Sequence, residues 1–446
     1  MGNTFPEHFF CKAIINYLSA GAIIFRPQNT LTHNFADIMD QPINRRTFLK
    51  NSGWASLAAV AAPGLLMQTG CQSTRNTIIE EARLFLIHVD APRHLSHATW
   101  RNRQHVFIRL KASGISGWAE VLARVNDLEF DAGQWGAYIR EIIGMTVFDA
   151  LKYIESQYGN WNSSQVEPLE IALYDIWGQL EGKPAVELLG FSGNAVVPGI
   201  FTILEEDPAI AIEKLQVARD ENLTRYIKIK LFGDKDLDLS LVKAMRANID
   251  QSTFLLGDSN GGYGYLNLEE TGDVCIRLRD AGLDGTEDLW REMAPEQWIA
   301  LQQRVAPLVL IPDYPLRPSW ESIHTLRKGM GKMYNFHPKV LGSLVYAARL
   351  AKRVKHEWGA DIMIGDDSHI GAGATIWQQI ACALEARCVE ALEKPEESDL
   401  FLQCIEEQVT SLTENGEARV MEFKPGWGLK VDEDKLKEAA HQTVEL

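Results

Sequence analysis

The sequence lacks the features that would point to nucleic acid or zinc. Its 446 residues carry 44 Lys and Arg against 60 Asp and Glu, a formal net charge of -16, and no basic run. Nucleic acid and anionic membrane surfaces ask for clustered positive charge, so neither is expected as a partner. The six cysteines (Cys11, Cys71, Cys275, Cys382, Cys388 and Cys404) form no CxxC pair and no Cys/His cluster, which argues against a zinc site. Cys382 and Cys388 fall in what reads as a single helix, Ile380-Ala-Cys-Ala-Leu-Glu-Ala-Arg-Cys-Val-Glu390. Small apolar neighbours make buried free thiols the expectation there, not a disulfide. Low-complexity segments are also missing.

What is present begins with an address. Asn44-Arg-Arg-Thr-Phe-Leu-Lys50 precedes Trp54-Ala-Ser-Leu-Ala-Ala-Val-Ala-Ala and Pro63-Gly-Leu-Leu-Met67. A basic region before a short apolar one reads as a twin-arginine signal peptide. The apolar stretch is well short of the ~20 residues a spanning helix needs. The motif lies late for a signal, and Met39 just upstream offers an ordinary-looking start, which would make residues 1–38 an extension or a misplaced start. Leu66-Met-Gln-Thr-Gly-Cys71 resembles a lipoprotein cleavage box, with Gln68 where Leu is usual. The expectation is export to the periplasm, with lipidation of Cys71 and membrane anchoring as an open alternative.

From about Asn76 the pattern changes. Ile78–Val89 and His105–Ala112 read as strands, Arg93–Trp100 as a polar loop between them, and Gly114–Glu120 as a turn entering a third strand. Between Asp131 and Leu189 apolar residues recur at helical spacing. Strands followed by helices imply an α+β domain. Strand and helix then alternate. Ala195–Ile203, Tyr226–Lys230, Thr253–Asp258, Leu283–Glu287, Leu308–Asp313, Met333–His337 and Asp361–Gly365 read as strands, with helices between them.

Lys228 and Lys230, at i and i+2 of one strand, point to the same face. Lys230, Asp258, Glu287 and Asp313 follow one another at steps of 26 to 29 residues. A (β/α)₈ barrel spends about 30 residues per unit and does its chemistry at the C-terminal strand ends. Three carboxylates converging there suit a hard divalent cation, and a neighbouring lysine is placed to move a proton. Glu287 has acidic neighbours in Asp284 and Asp288 and is preferred on spacing.

Several further patterns keep their order along residues 76 to 440. They are Gly117-Trp-Ala-Glu120, Ala172-Leu-Tyr-Asp-Ile-Trp-Gly with Gly182-Lys-Pro-Ala-Val-Glu-Leu-Leu-Gly190, Ile227-Lys-Ile-Lys-Leu-Phe-Gly233, Asp258-Ser-Asn-Gly-Gly-Tyr263, Ser368-His-Ile-Gly371 and Lys424-Pro-Gly-Trp-Gly-Leu. In these the chain resembles the enolase superfamily, in its muconate-lactonising and mandelate-racemase branches. The resemblance implies a modified (β/α)₇β TIM barrel over residues 191–419 and an α+β capping domain over residues 76–190. Residues from about 420 to 446 would pack back on the cap, and residues 1–75 would be extension and signal.

It also implies roles. Asp258, Glu287 and Asp313 would hold Mg²⁺, with Mn²⁺ as an alternative. Lys230 would remove the proton α to a substrate carboxylate, giving a metal-stabilised enediolate. Lys228 would help hold the carboxylate and, by like charge, keep Lys230 partly neutral. Asn260, Asp367, Arg93 and Trp100 would contact substrate, with His94 and His97 beside the last two in the cap loop. A homo-oligomer acting on a small-molecule carboxylate is expected.

Departures from the family pattern bear on the outcome. His337-Pro-Lys-Val-Leu-Gly-Ser343 puts His337 where the family has a second lysine, with Lys339 the match if the register slips, and Asp313 is followed by Tyr314. A histidine is a competent base near neutral pH. The leading expectation is a racemase or epimerase of an N-acyl amino acid or dipeptide, with Lys230 and His337 on opposite faces of the α-carbon. The alternatives are dehydration of a hydroxy-acid or sugar acid, and a non-catalytic binder of the same fold.

Overall fold

The computed structural model describes residues 76–95, 98–392 and 402–446. The twin-arginine motif, Cys71 and His97 lie outside them. Among the described residues no helix is long and apolar enough to cross a membrane.

The first layer is an antiparallel sheet of β1 (Ile79–Val89), β4 (Arg103–Ala112) and β5 (Ile115–Val125), closed on its outer edge by the C-terminal strand β19 (Gln442–Glu445). Ser113 and Gly114 both take positive φ, the geometry of a two-residue turn whose twist matches the strands that it joins. Helix α1 (Val147–Ser156) packs against α2 (Ser163–Glu181), which covers this sheet. Gly117 faces α2 so closely that a Cβ would stand 2.1 Å from the Ala172 carbonyl oxygen. Glycine is therefore required at the start of the Gly117-Trp-Ala-Glu120 run.

Between β1 and β4 the polar segment expected as a loop forms a small hairpin. Strand β2 (Arg93–Leu95) pairs with β3 (Ala98–Trp100), Arg93 opposite Trp100. Pairing fixes both residues over the barrel mouth, which a free loop would not do.

The barrel starts with a correction. Ala195–Ile203 is not one strand: β6 (Val197–Pro198) pairs with a C-terminal strand, and β7 (Ile200–Ile203) enters the barrel. The parallel series runs β7, β8 (Tyr226–Lys230), β9 (Phe254–Asp258), β10 (Gly285–Glu287) and β11 (Val309–Ile311), then β12 (Met333–Phe336), β13 (Asp361–Ile364) and β14 (Cys388–Val389). A backbone hydrogen bond from Asn335 to Pro312 joins β11 to β12, and Gly199 bridges Val389 to close the ring. Helices α3 (Pro208–Asp220), α4 (Lys235–Asn248), α5 (Leu268–Asp280), α6 (Pro295–Val305), α7 (Ser319–Thr325), α8 (Leu344–Lys352) and α9 (Ala372–Leu384) cross over between strands. This is a TIM barrel of the (β/α)₇β kind with an N-terminal cap.

Cys388 corrects a second expectation. The helix carrying Cys382 stops at Leu384, where Glu385 turns left-handed at φ 54, and Cys388 lies in β14. Cys275, Cys382, Cys388 and Cys404 are all free and buried, as their neighbours implied. Inside the ring, Ile200, Tyr226, Leu256, Ile311, Met333, Met363 and Cys388 form a packed apolar layer. Lys228 and Lys230 share a strand face with Tyr226 and so point into the ring above that layer.

The chain then returns to the cap. β17 (Glu417–Val420) pairs with β6, the Trp427 N–H groups donate to Asp175 and Ile171 of α2, and β19 joins β1. Sheet, barrel and tail thus share one contiguous core between strands and helices.

Candidate active site

Strand register brings the predicted residues into one row. Lys230 pairs with Asp258, and Asp258 with Glu287, at the C-terminal ends of β8, β9 and β10. Asp313 follows two residues past the end of β11. All four are at most 6% exposed. They line a cavity of about 570 Å³ together with Lys228, Asn260, His337, Asp367, Arg93 and Trp100. Every predicted site residue of the barrel and the hairpin pair thus faces one space. The hairpin roofs it.

Each acid has a distinct partner. Lys230 donates to Asp258 and, at 2.8 Å, to the Asn260 side-chain oxygen. Arg317 forks onto both oxygens of Asp313, with Nε 3.1 Å from Oδ1. Glu287 accepts from Asn335 at 2.7 Å through one oxygen, while its other oxygen has no hydrogen-bond partner and lies 3.7 Å from Lys228 Nζ. Lys228 donates to Glu390 at 2.6 Å, and Thr202 holds the other Glu390 oxygen.

The electrostatics follow. Burial alone would push the Asp258 carboxyl up, but Lys230 and Lys228 outweigh it and bring it down to about 2. Asp313 is likewise held down against burial by Arg317 and His337. Glu287 goes the other way: burial, helped by Asp258 and Asp313 and only opposed by Lys228, pushes it well up. Lys228 is raised despite burial, by Glu287, Glu390 and Asp258, and stands as a fixed cation.

The acidic neighbours of Glu287 sort themselves out. Asp284 lies at the opposite end of β10, bound to Arg246 and to the Leu255 N–H. Asp288 takes the backbone N–H groups of Asp313 and Tyr314 and so shapes the turn after β11. Glu287 and Asp288 line the cavity, and Glu287 keeps one oxygen without a partner there.

The donor set suits a hard divalent cation. Asp258, Glu287 and Asp313 are buried oxygen donors at successive strand ends, and Glu287 keeps one oxygen unpartnered. Asp258 and Asp313 are held by cationic side chains and Glu287 by Asn335, and among the described residues no three His, Cys, Asp or Glu side chains stand grouped as a metal cage.

His337 lies at the end of β12, across the ring from β8, and is half-buried, its Nδ1 3.1 Å from the Pro338 carbonyl oxygen. Lys339 also reaches the cavity, 3.4 Å from Asp367. His369 does not line it: the ring is buried and packed against Gly373. Two residues of the site were missed in the sequence. Glu390 stood hidden in an over-extended helix, although it falls one strand–helix repeat beyond β13. Arg317 sits four residues past Asp313, in a Pro-flanked turn with no strand periodicity to mark it.

Residues 79–190 match the family model for the mandelate racemase / muconate lactonizing enzyme, N-terminal domain. Among curated relatives, cis-3-hydroxy-L-proline dehydratase of Roseibium aggregatum is 24% identical over 216 residues, 46% of this chain and 56% of that protein. D-Ala-D/L-Ala epimerase of Cytophaga hutchinsonii is 26% identical over 44% of this chain and 55% of its own length. The aligned stretch thus spans about half the length of these two relatives. L-Lys-D/L-Arg epimerase of Methylococcus capsulatus is 25% identical over 58% of this chain and 70% of its own length.

Among solved structures, muconate lactonizing enzyme from Pseudomonas fluorescens, complexed with muconolactone, superposes with TM-score 0.69 at 20% identity, covering 82% of this chain and 100% of that one. Dipeptide epimerase from Cytophaga hutchinsonii, complexed with Mg and the dipeptide D-Ala-L-Val, gives TM-score 0.67 at 17% identity over 82% of this chain and 99% of that one. The fold is that of the enolase superfamily. Its N-terminal domain is similar to that of mandelate racemase and muconate lactonizing enzyme, and the curated relatives that it resembles over part of their length are epimerases and a dehydratase.

Proposed function

We propose that this enzyme removes the proton α to a carboxylate and returns one to the opposite face, as a racemase or epimerase of an N-acyl amino acid or dipeptide. The observation that carries this is the placement of Lys230 and His337 on strands across the ring from each other, both facing the cavity that holds Asp258, Glu287 and Asp313. A proton next to a carboxylate is a weak acid, so base, charge stabiliser and substrate must meet at one place. Lys230 takes the proton on one face, positioned by Asp258 and Asn260. His337 serves the other face. Lys228, fixed as a cation by Glu390, attracts the substrate carboxylate. Asp258, Glu287 and Asp313 would hold Mg²⁺, or Mn²⁺ in its place, which when bound supplies positive charge to offset the carboxylate charge that grows as the proton leaves. The hairpin, through Arg93 and Trp100, closes the space from water.

Loss of water from a hydroxy-acid is the second reading. It is favoured by the match to a dehydratase and by His337, which can act as the acid that protonates a leaving hydroxyl. Export by the twin-arginine route to the periplasm, lipidation of Cys71 and a homo-oligomeric state belong to the same proposal and rest on the sequence.

Exchange in D₂O tests it. The protein is incubated with Mg²⁺ and pooled dipeptides, N-acyl amino acids and hydroxy-acids, then read by mass spectrometry and NMR. Cation-dependent deuterium at the α-carbon of both epimers, absent with EDTA and in Lys230→Ala, is the expected result. A 2-keto product would select dehydration. No exchange in any pool would count against α-proton abstraction from these substrates.

A further inference from the structure

The buried charges lining the cavity do not balance. Asp258, Glu287, Asp288, Asp313 and Glu390 face Lys228, Lys230 and Arg317, five carboxylates to three cations. Asp366 and Asp367 are matched separately by Arg93 and Lys339. Glu287 and Asp288 are the two left over, both pushed well up by burial and by their acidic neighbours, and a divalent cation would supply the charge that they lack. Two of its three candidate ligands, however, already hold a side-chain cation. Lys230 on Asp258 is the base itself. Arg317 on Asp313 has no part in the proton transfer described above.

That pair is built to open. Arg317 reaches Asp313 from four residues away through Nε and Nη2, filling both carboxylate oxygens. Among the described residues its guanidinium makes no other hydrogen bond and rests near the Tyr314 ring, 5.8 Å from its centroid. Its side chain is 25% exposed, against 4% for Asp313, so it can swing into the cavity without leaving a hole in the core. A forked arginine leaves the carboxylate little room for a metal, so guanidinium and divalent cation compete for it.

We propose, on the reading of the site given above, that Arg317 is a latch between cation and substrate. It occupies Asp313 until a divalent cation takes that carboxylate, and the guanidinium so released turns to an anionic group of the substrate. A carboxylate ligand then stabilises the displaced arginine and tightens cation binding, and the cation tightens the carboxylate by the same factor. Arg317 is a positioning residue here: it acts on the reaction through Asp313 and through the pose of the substrate.

Binding of Mn²⁺ to the full chain, followed by its EPR signal with and without succinate as the carboxylate probe, tests this without turnover. Arg317→Ala should bind Mn²⁺ about tenfold more tightly than wild type in the absence of succinate, a size usual for coupled sites. Succinate should tighten Mn²⁺ binding in wild type and do so by much less in Arg317→Ala. Arg317→Lys keeps the charge and loses the fork, and should fall between the two. Thermal melts establish that each variant is folded. Equal Mn²⁺ affinity in wild type and Arg317→Ala would overturn the latch, as would a succinate effect of equal size in both. Asp258→Asn separates the two levels: Mn²⁺ binding that survives this change would overturn the ligand set and the proposed function with it, whereas binding lost in Asp258→Asn but equal with and without Arg317 would overturn the latch alone.

Discussion

Two groups of buried acids, one on the cap helix and one at the barrel mouth, are treated in opposite ways. On α2, Glu170 and Asp175 are satisfied by backbone N–H groups and neutral side chains, and Glu167 by a single backbone N–H, its other oxygen buried without a partner. Glu167 accepts from the Lys339 N–H at 2.6 Å, and Glu170 from Ser343, Tyr158 and the Val345 N–H. Asp175 accepts from the N–H groups of Trp118 and Trp427 and from Gln179. Burial dominates in each, lifting them to about 8, about 7 and about 6. At the barrel mouth Asp258 and Asp313 are matched by Lys230 and Arg317 and are held down instead. A buried carboxylate that joins chain segments tolerates neutrality, whereas one that must present charge is kept ionised by a cation. Glu287, raised and with an unpartnered oxygen, belongs to the second group but has only a share of Lys228, which lies 3.7 Å away and is bonded to Glu390.

The largest effect is expected at the base. Lys230→Ala should lower exchange or turnover by about 10³-fold, within the range for loss of a general base, while the melting temperature changes little. Normal exchange in that variant would remove Lys230 from its role. Next comes the contrast between the two groups of acids. Glu287→Gln should abolish Mn²⁺ binding and raise stability in EDTA, because it removes one of several crowded carboxylates. Glu170→Gln should leave Mn²⁺ binding as in wild type. If both variants bound the cation equally, the division drawn here would fail.

How much of this could be read in the sequence depends on the kind of signal. The barrel acids recur at the repeat length, and the lysine pair obeys strand alternation, so both were visible without a structure. Glu390 was lost because α9 ends on Glu385 in a left-handed conformation with no glycine to announce it. The β2–β3 hairpin has Ser96 and His97 between its strands, where Asn-Gly or Asp-Gly would have signalled a turn. Arg317 meets Asp313 through a turn whose shape depends on Asp288 accepting two backbone N–H groups, a contact across strands that no local pattern carries.

A smaller effect is expected where the cap and the tail meet. Asp175→Ala would leave the Trp118 and Trp427 N–H groups buried without an acceptor, a loss of about 3 kcal/mol. Urea unfolding should show this as a lower midpoint, and Asp175→Asn, which keeps one acceptor oxygen, should lose less. An unchanged midpoint in Asp175→Ala would mean that the tail is not held there.

The most gradual effect is a slope with pH. Glu167 and Glu170 bind protons more tightly folded than unfolded, where a glutamate titrates near ~4.3. Their contribution to stability is complete below that value and is lost as pH rises to about 7 for Glu170 and about 8 for Glu167. Stability should therefore fall between pH 5 and pH 8, by on the order of 3 kcal/mol for each group. Asp258 and Asp313 are ionised in both states over this window and add no slope. They would contribute only under acid, where protonation cancels their pairing with Lys230 and Arg317. Urea midpoints measured across the window in EDTA should flatten in Glu167→Gln and Glu170→Gln. A slope that persisted in both variants would arise at Asp175, held at about 6, or at Glu287 and Asp288, and only in the second case would adding Mn²⁺ flatten it in wild type, because a bound cation keeps those carboxylates ionised in the folded state.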